Sequence, residues 1–289
     1  MRALRLCLLL AIAVGSCAGA APLETAPPAR RPRGEVRRPP TVKIVSWNLK
    51  RLGHGKKRFD LVARMLANQD VAVLQEVMSP AGVRRLLAHL PGWSAAISPR
   101  AVGRGGYAEH YAVLYRRDRV SRLRAYTVDD RDDRFAREPY VVCLKARSFD
   151  FCLLTIHVVF GRTVGPRDAE IEALGPLLDR LMRTSRERDW IVAGDFNRPA
   201  RAGCWSSLTS RGWTMARRPT PTSISAAGYR NDYDHLLLNR RYTREWTGAA
   251  DRLDFVSRVC RGDFAWCHAQ VSDHAPIYAT FSTTGADDD

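Results

Sequence analysis

Trp190-Ile191-Val192-Ala193-Gly194-Asp195-Phe196-Asn197 runs from four apolar residues straight into a polar turn, the form of a buried strand that ends in a loop. A rigid sheet presents the residues at such strand ends to a shared crevice. The same form recurs along the chain. Val45-Ser46-Trp47-Asn48-Leu49 delivers Asn48, Val73-Leu74-Gln75-Glu76-Val77 delivers Glu76, and Leu153-Leu154-Thr155-Ile156-His157 closes on His157. Asp234 and His235 open a strand reaching Leu238, and Ser272-Asp273-His274-Ala275-Pro276 precedes a last strand, Ile277 to Phe281.

Between these runs the pattern alternates. Phe59 to Ala67 and Pro80 to Leu90 read as amphipathic helices around the strand Val71 to Leu74. A strand-rich middle follows: His110 to Tyr115, Val120 to Val128, Tyr140 to Ala146 and Phe151 to Val159. The longest helix, Pro166 to Ser185, opens on a proline with Asp168 in its first turn. No internal repeat is present. Residues 42–281 therefore read as one mixed α/β domain containing antiparallel hairpins.

The chain has 46 Lys and Arg against 30 Asp and Glu, a net +16, with 45% hydrophobic residues. That balance excludes a disordered tail and a membrane bundle. Seven Arg and two Glu precede Val42 and three Asp end the chain, so the body keeps 39 basic and 25 acidic residues, +14. Such an excess on a folded domain favours a polyanionic partner, because each phosphate neutralised releases counterions. Only five of the 46 are Lys, so a GC-rich genome is the bland explanation for an Arg-heavy chain.

Leu6 to Val14 is too short to span a bilayer but suits a secretory signal, giving a leader over 1–20 and an exported protein. Two endings compete. Ala18-Gly19-Ala20 has the small-x-small form of an ordinary cleavage site, and Val14-Gly15-Ser16-Cys17 has that of a lipobox, in which Cys17 would carry a membrane anchor. Residues 21–41, rich in Pro, Ala and Arg, read as a linker, and 282–289 as an acidic tail. Export permits disulfides. Cys143 and Cys152 fall on two strands joined by a short turn, and Cys260 and Cys267 bracket a short loop, leaving Cys204 as an exposed remainder.

An Asn or Asp after a strand is commonly a turn former, and a His beside apolar residues is commonly a satisfied core side chain. Six such sites in one domain, all oxygen or imidazole donors, weigh against that explanation. Hard oxygen donors suit Mg²⁺, Mn²⁺ or Ca²⁺, and two histidines each oriented by a carboxylate suit acid–base work. With a basic surface, these point to phosphoester hydrolysis.

Trp47-Asn48-Leu49, Leu74-Gln75-Glu76, Gly194-Asp195-Phe196-Asn197 and Ser272-Asp273-His274 resemble, in order, the signature of the endonuclease/exonuclease/phosphatase superfamily, over nearly all of Val42 to Phe281. Within it, Gly106-Tyr107-Ala108-Glu109-His110-Tyr111, Tyr115 to Val120 and Phe135-Ala136-Arg137-Glu138-Pro139 are similar to deoxyribonuclease I. The resemblance implies an α/β four-layer α/β/β/α sandwich of two mixed β-sheets, with the site across one edge. It implies that Glu76, with Asn48 and Asp273, holds an essential Mg²⁺ (or Mn²⁺). His157 would be general base oriented by Glu109, and His274 general acid oriented by Asp234, although nothing in the residues orders the two histidines. Asp195 and Asn197 would fix phosphate, water or a second cation. Arg137 and Lys50 would meet phosphate, and Tyr107 the minor groove. Asp130, Asp133 and Glu138 align with a structural Ca²⁺ site, in a shortened loop.

The function so implied is a secreted or lipid-anchored, divalent-metal-dependent endodeoxyribonuclease of low sequence specificity, acting on DNA as a monomer. A phosphoinositide phosphatase, sphingomyelinase or toxin-nuclease-like phosphoesterase of the same superfamily keeps the site and changes the substrate. A non-catalytic nucleic-acid-binding pseudoenzyme is disfavoured, since every acid, base and ligand position is filled. Three departures from deoxyribonuclease I stand out: Met78 replaces an arginine that reaches the minor groove, Lys50 replaces arginine and loses its bidentate fork, and Cys204 lacks a partner near Tyr233 and Asp234.

Overall fold

Alternation along the first strand sets the layering. In β1 (Thr41–Leu52), Val42 and Ile44 face one way and Val45, Trp47 and Leu49 the other, and all five are buried. A strand buried on both faces needs cover on both. The structure, a computed structural model, describes residues 40–104 and 106–285. The expected leader with Cys7 and Cys17, nearly all of the linker, and the chain from 286 onward lie outside the described residues.

After β1 come α1 (Phe59–Leu66), β2 (Val71–Val77), α2 (Pro80–Leu87), β3 (Trp93–Ile97), β4 (His110–Arg116), β5 (Ser121–Thr127), β6 (Tyr140–Ala146) and β7 (Phe149–His157). The 20-residue α3 (Gly165–Thr184), β8 (Trp190–Asp195), the one-turn α4 (Ser206–Thr209) and β9 (Trp213–Met215) follow. A two-residue hairpin, β10 (Ile224–Ser225) and β11 (Gly228–Tyr229), leads to β12 (Asp234–Asn239), β13 (Trp246–Arg252), α5 (Phe255–Cys260), α6 (Phe264–Gln270) and β14 (Ile277–Ser282). One six-stranded sheet has the order β13-β14-β1-β2-β4-β3 and the other β5-β6-β7-β8-β12-β9, each mixing parallel and antiparallel pairs.

The two sheets bury Val42, Ile44, Val73, Val113, Phe151, Leu153, Ile191, Leu236 and Phe281 between them. On the outer face of the first, Trp47, Leu74 and Val77 pack under α1, α2 and α5. On the outer face of the second, Leu154, Ile156 and Val192 pack under Ile171, Leu174 and Leu178 of α3. Apolar positions three and four apart give each helix one core-facing stripe. The four-layer sandwich expected from the resemblance is the architecture found.

Both cysteine pairs are joined. Cys143 and Cys152 lie directly opposite in the β6–β7 register, and Cys260–Cys267 ties α5 to α6. The segment between the latter pair is not all loop, as expected from sequence, because Phe264 onward is helical. Cys204 is not exposed: it is buried, and that burial with the neighbouring Asp168 pushes its thiol up to about 11.

Gly194 is fixed by contact rather than by turn geometry. It lies in register with Ile156 across the parallel β7–β8 pair, and a Cβ there would meet the Ile156 carbonyl oxygen at 1.9 Å. Gly194→Ala must therefore push two central strands apart. The expected cost is about 3 kcal/mol, or roughly 6–12 °C in melting temperature for a domain of this size. A calorimetric melt unchanged within a degree or two would contradict this packing.

Candidate active site

The alternation that buries the core also aims the chemistry. On β7 the inward set is Phe149, Phe151 and Leu153, so Thr155 and His157 continue it. On β8, Ile191 and Ala193 point inward and Asp195 follows; on β12, Leu236 and Leu238 do, which places Asp234 on the same side. Tyr111 and Val113 of β4 carry Glu109 inward, and Val42 and Ile44 of β1 carry Asn48. His235 has the opposite parity. Its ring packs on Phe196 and Trp205 under the outer layer and its Nε2 meets the Arg198 carbonyl, so it is a core residue.

Glu76 breaks the rule. Parity on β2 would send it outward with Ala72 and Leu74, but its φ of +55° and a register shift on either side of it turn the side chain into the cleft. A single-residue bulge of this kind re-aims a side chain at the end of a strand. Asn197 also has positive φ, +51°, a conformation that Asn tolerates.

The assembled site is nearly symmetric about Asp195. His157 Nε2 and His274 Nε2 each lie 3.6 Å from Asp195 Oδ2. Behind them, His157 Nδ1 is 3.0 Å from both oxygens of Glu109, and His274 Nδ1 is 2.7 Å from Asp234 Oδ2. Each imidazole is thus held at Nδ1 by a buried carboxylate and presents Nε2 to the centre. The backbone is held as well: His157 N donates to the Tyr111 hydroxyl, Ser272 Oγ to the Asn48 carbonyl, and Trp47 Nε1 to the His274 carbonyl. A cleft of about 450 Å³ opens over these groups, lined also by Glu76, Tyr107, Arg137, Asn197, Tyr233 and Asp273.

Electrostatics separate the two histidines. Burial lowers both, but Asp234 and Asp195 carry His274 well above its ordinary value, while Glu109 and Asp195 raise His157. Burial pushes Glu109 up, and His157 with Arg137 more than reverses it; Asp234 is likewise left low by His274 and Thr222. Asp195 is pushed up by burial and by Asp234 against the pull of the two imidazoles.

Several expected residues stand differently from the reading of sequence. Asn48 presents its amide nitrogen to Glu76 Oε1 (3.0 Å) and Asp195 Oδ2 (3.1 Å), while its Oδ1 accepts from Lys50 N, so it spaces carboxylates rather than offering an oxygen. Lys50 is held by His268 and lies 3.8 Å from Asp273 Oδ2 at the cleft, so it is tied to protein partners. Arg137 reaches the cleft but is braced, donating to the His157 carbonyl with its Nε 3.6 Å from Glu109 and its guanidinium over Tyr107. Asp130, Asp133 and Glu138 do not converge: Asp130 accepts from Arg134 N and Phe135 N, and Asp133 pairs with Arg104. Among the described residues, only Asp195, Asp234 and His274 place three acidic or imidazole donor atoms within 4.8 Å of one another.

Two other carboxylates, Glu76 and Asp273, line the same cleft. Asp273 Oδ1 is buried without a hydrogen-bond partner, while Glu76 accepts from Asn48 Nδ2, from Arg51 N and from the Tyr107 hydroxyl. Hard carboxylate oxygens, one of them an orphaned buried acceptor, are the donor type that suits Mg²⁺ or Mn²⁺.

The supporting residues were not found from sequence. Gln75 Nε2 bridges Ser46 and Thr155 across the two sheets under the site. Glu170 of α3 accepts from Ala136 N and Val159 N, tying the Arg137 and His157 loops together. Arg217 pairs with Asp232 and holds the Asp234 carbonyl, and Lys57 Nζ joins the Leu49 and Val271 carbonyls. Period-two alternation would have flagged Gln75 and Thr155. The others depend on distant chain segments meeting.

A family model described as the Endonuclease/Exonuclease/phosphatase family matches residues 45–274. A deoxyribonuclease of Thioalkalivibrio sp. (strain K90mix) is 35% identical over 83% of this chain and 71% of its own length. Human deoxyribonuclease-1 is 27% identical over 82% of this chain and 91% of its length. Among solved structures, humanized D. rerio TDP2 aligns with a TM-score of 0.60 at 17% identity over 83% and 98% of the two chains. A mannosyl-6-phosphatase of Bacteroides thetaiotaomicron aligns at 0.56 and 15%, over 82% and 98%. These two structural likenesses speak for the fold alone.

Proposed function

The chain belongs to the endonuclease/exonuclease/phosphatase family, and from that premise we propose that it is an exported, divalent-metal-dependent endodeoxyribonuclease cutting DNA with little sequence preference. The observation that carries this reading is the pair of carboxylate-backed imidazoles whose Nε2 atoms converge on Asp195 in the cleft that Glu76 and Asp273 also line. The deoxyribonuclease relatives and the +14 body favour DNA as the polyanion. Two disulfides and the leader-like start favour export.

Glu76 and Asp273 would hold the cation, which when bound neutralises charge on the phosphate and the departing oxygen. The protein groups do the rest. His157, with Nδ1 fixed by Glu109, accepts at Nε2 the proton of the attacking water. His274 is the more strongly held as imidazolium and gives the Nε2 proton to the leaving oxygen. Asn197, in a fixed left-handed turn, and the braced Arg137 orient the phosphodiester.

The signs of the pH dependence follow. His157 acts only when neutral, and because Glu109 raises it, kcat/KM falls as pH drops through that raised value. Glu109→Gln lowers it and moves the acid limb to lower pH, with about 100-fold less activity. His274 acts only when protonated, so Asp234→Asn moves the alkaline limb to lower pH also. A limb moving upward in either variant would contradict the assignment.

Activity should fall steeply with salt. Neutralising two to three phosphates predicts roughly 10- to 40-fold lower kcat/KM between 50 and 200 mM NaCl. The deciding experiment incubates the full chain with supercoiled plasmid and, separately, with phosphoinositides, each in Mg²⁺ or EDTA. Mg²⁺-dependent nicking is expected; phosphate release without nicking would move the substrate to a lipid headgroup.

A further inference from the structure

Three large apolar side chains are strongly exposed among the described residues, and two of them, Phe160 and Val164, flank the loop that follows His157. Phe160 is 66% exposed, yet it lines the cleft with His157, His274 and Asp273. Leaving a phenyl ring in water forgoes its burial, so its position at the cleft is informative. The ring is not loose. The Arg167 guanidinium lies over it at 5.1 Å from the centroid, and Arg167 is itself buried, donating to the carbonyls of Asn197, Gly161 and Thr163. The chain before the ring is pinned too: Asn197 Nδ2 donates to the Val158 carbonyl, and Val159 N to Glu170.

We propose that Phe160 is a stacking platform for an unpaired nucleobase next to the phosphate held in the cleft, and that it biases the protein toward single-stranded or locally opened DNA. This rests on the nuclease reading above. Two residues lie between Phe160 and His157, three steps and at most about 11 Å of extended chain, which is the reach of a neighbouring nucleotide. Every base offers a π-face, so an aromatic platform adds affinity without reading sequence. In a duplex both faces of each base are covered by its neighbours, and the ring gains a partner only where the stack has opened. Exposed Arg162 stands two residues on, where it can meet the same strand's backbone.

The test uses the full chain in EDTA, with fluorescence anisotropy on a labelled eight-nucleotide oligothymidylate and on an abasic strand of equal length. Wild type is expected to bind the base-bearing strand about tenfold more tightly, Phe160→Ala to lose that difference, and Phe160→Trp to keep it. Equal binding of the two strands by wild type, an equal loss on both in Phe160→Ala, or no binding to either overturns the platform. Phe160→Ala that weakens binding to phosphatidylserine vesicles and leaves the strand difference intact assigns the ring to a lipid surface, and also overturns it. Plasmid nicking is read in parallel. Nicking without the strand difference removes the platform alone, and the strand difference without nicking removes the nuclease reading alone.

Discussion

His274→Ala is expected to lower kcat for Mg²⁺-dependent plasmid nicking by about three to four orders of magnitude, the upper range for loss of a positioned general acid. The side chain meets Asp234 at 2.7 Å and Asp195 at 3.6 Å, and three carboxylates, Asp273 among them, raise it. Removing it takes away both a proton donor and the positive charge that offsets buried Asp195. A substrate with a good leaving group separates the two histidines. A thymidine diester bearing p-nitrophenolate releases that group without a proton, so His274→Ala should impair it far less than DNA. His157→Ala should impair both substrates alike, because the water still needs a base. The reverse pattern would exchange the two roles, and equal damage to both substrates in both variants would refute the assignment of a general acid.

Glu76→Gln is expected to reduce activity about 1,000-fold at 1 mM Mg²⁺, with partial recovery as the cation is raised. The change is nearly isosteric and keeps one acceptor oxygen, so the fold should survive while the charge opposite Asp273 is lost. Mn²⁺ titration of the full chain, followed by water-proton relaxation, reads binding apart from turnover. An unchanged Mn²⁺ isotherm in Glu76→Gln would show that the cation does not sit between these carboxylates. The backbone is informative as well. Glu76 sits at φ +55° in a register shift, a conformation that costs a non-glycine residue and persists only where surrounding contacts enforce it.

Most of the layered architecture is legible in the chain. Apolar runs that end in Asn48, Glu76, His157 and Asp195 mark central strands, and the spacing of Cys143 and Cys152 marks a hairpin that the register bears out. Short or exposed elements are harder: β3 and the exposed edge strand β13 carry weak patterning, and α5 with α6 were hidden behind the cysteine spacing. Elements this short carry too few residues for a period to stand out from the chain around them. Cys204 illustrates the same limit, since nothing local announces that Asp168 and Arg198 will surround it.

The sequence by itself determined which side chains reach the crevice, because a strand's period of two carries Asn48, His157, Asp195 and Asp234 to the face shared by both sheets. Tertiary structure decided what each one does there. Asn48 became a spacer between Glu76 and Asp195, Lys50 turned to His268, and the supposed calcium carboxylates went to backbone amides and Arg104. The two histidines are raised by carboxylates that folding brings to them, Glu109 and Asp195 for His157 and Asp234, Asp195 and Asp273 for His274. Period and composition are local properties. Hydrogen-bond partners and electric fields belong to the assembled sheets, and so does the bulge that swings Glu76 against its own parity.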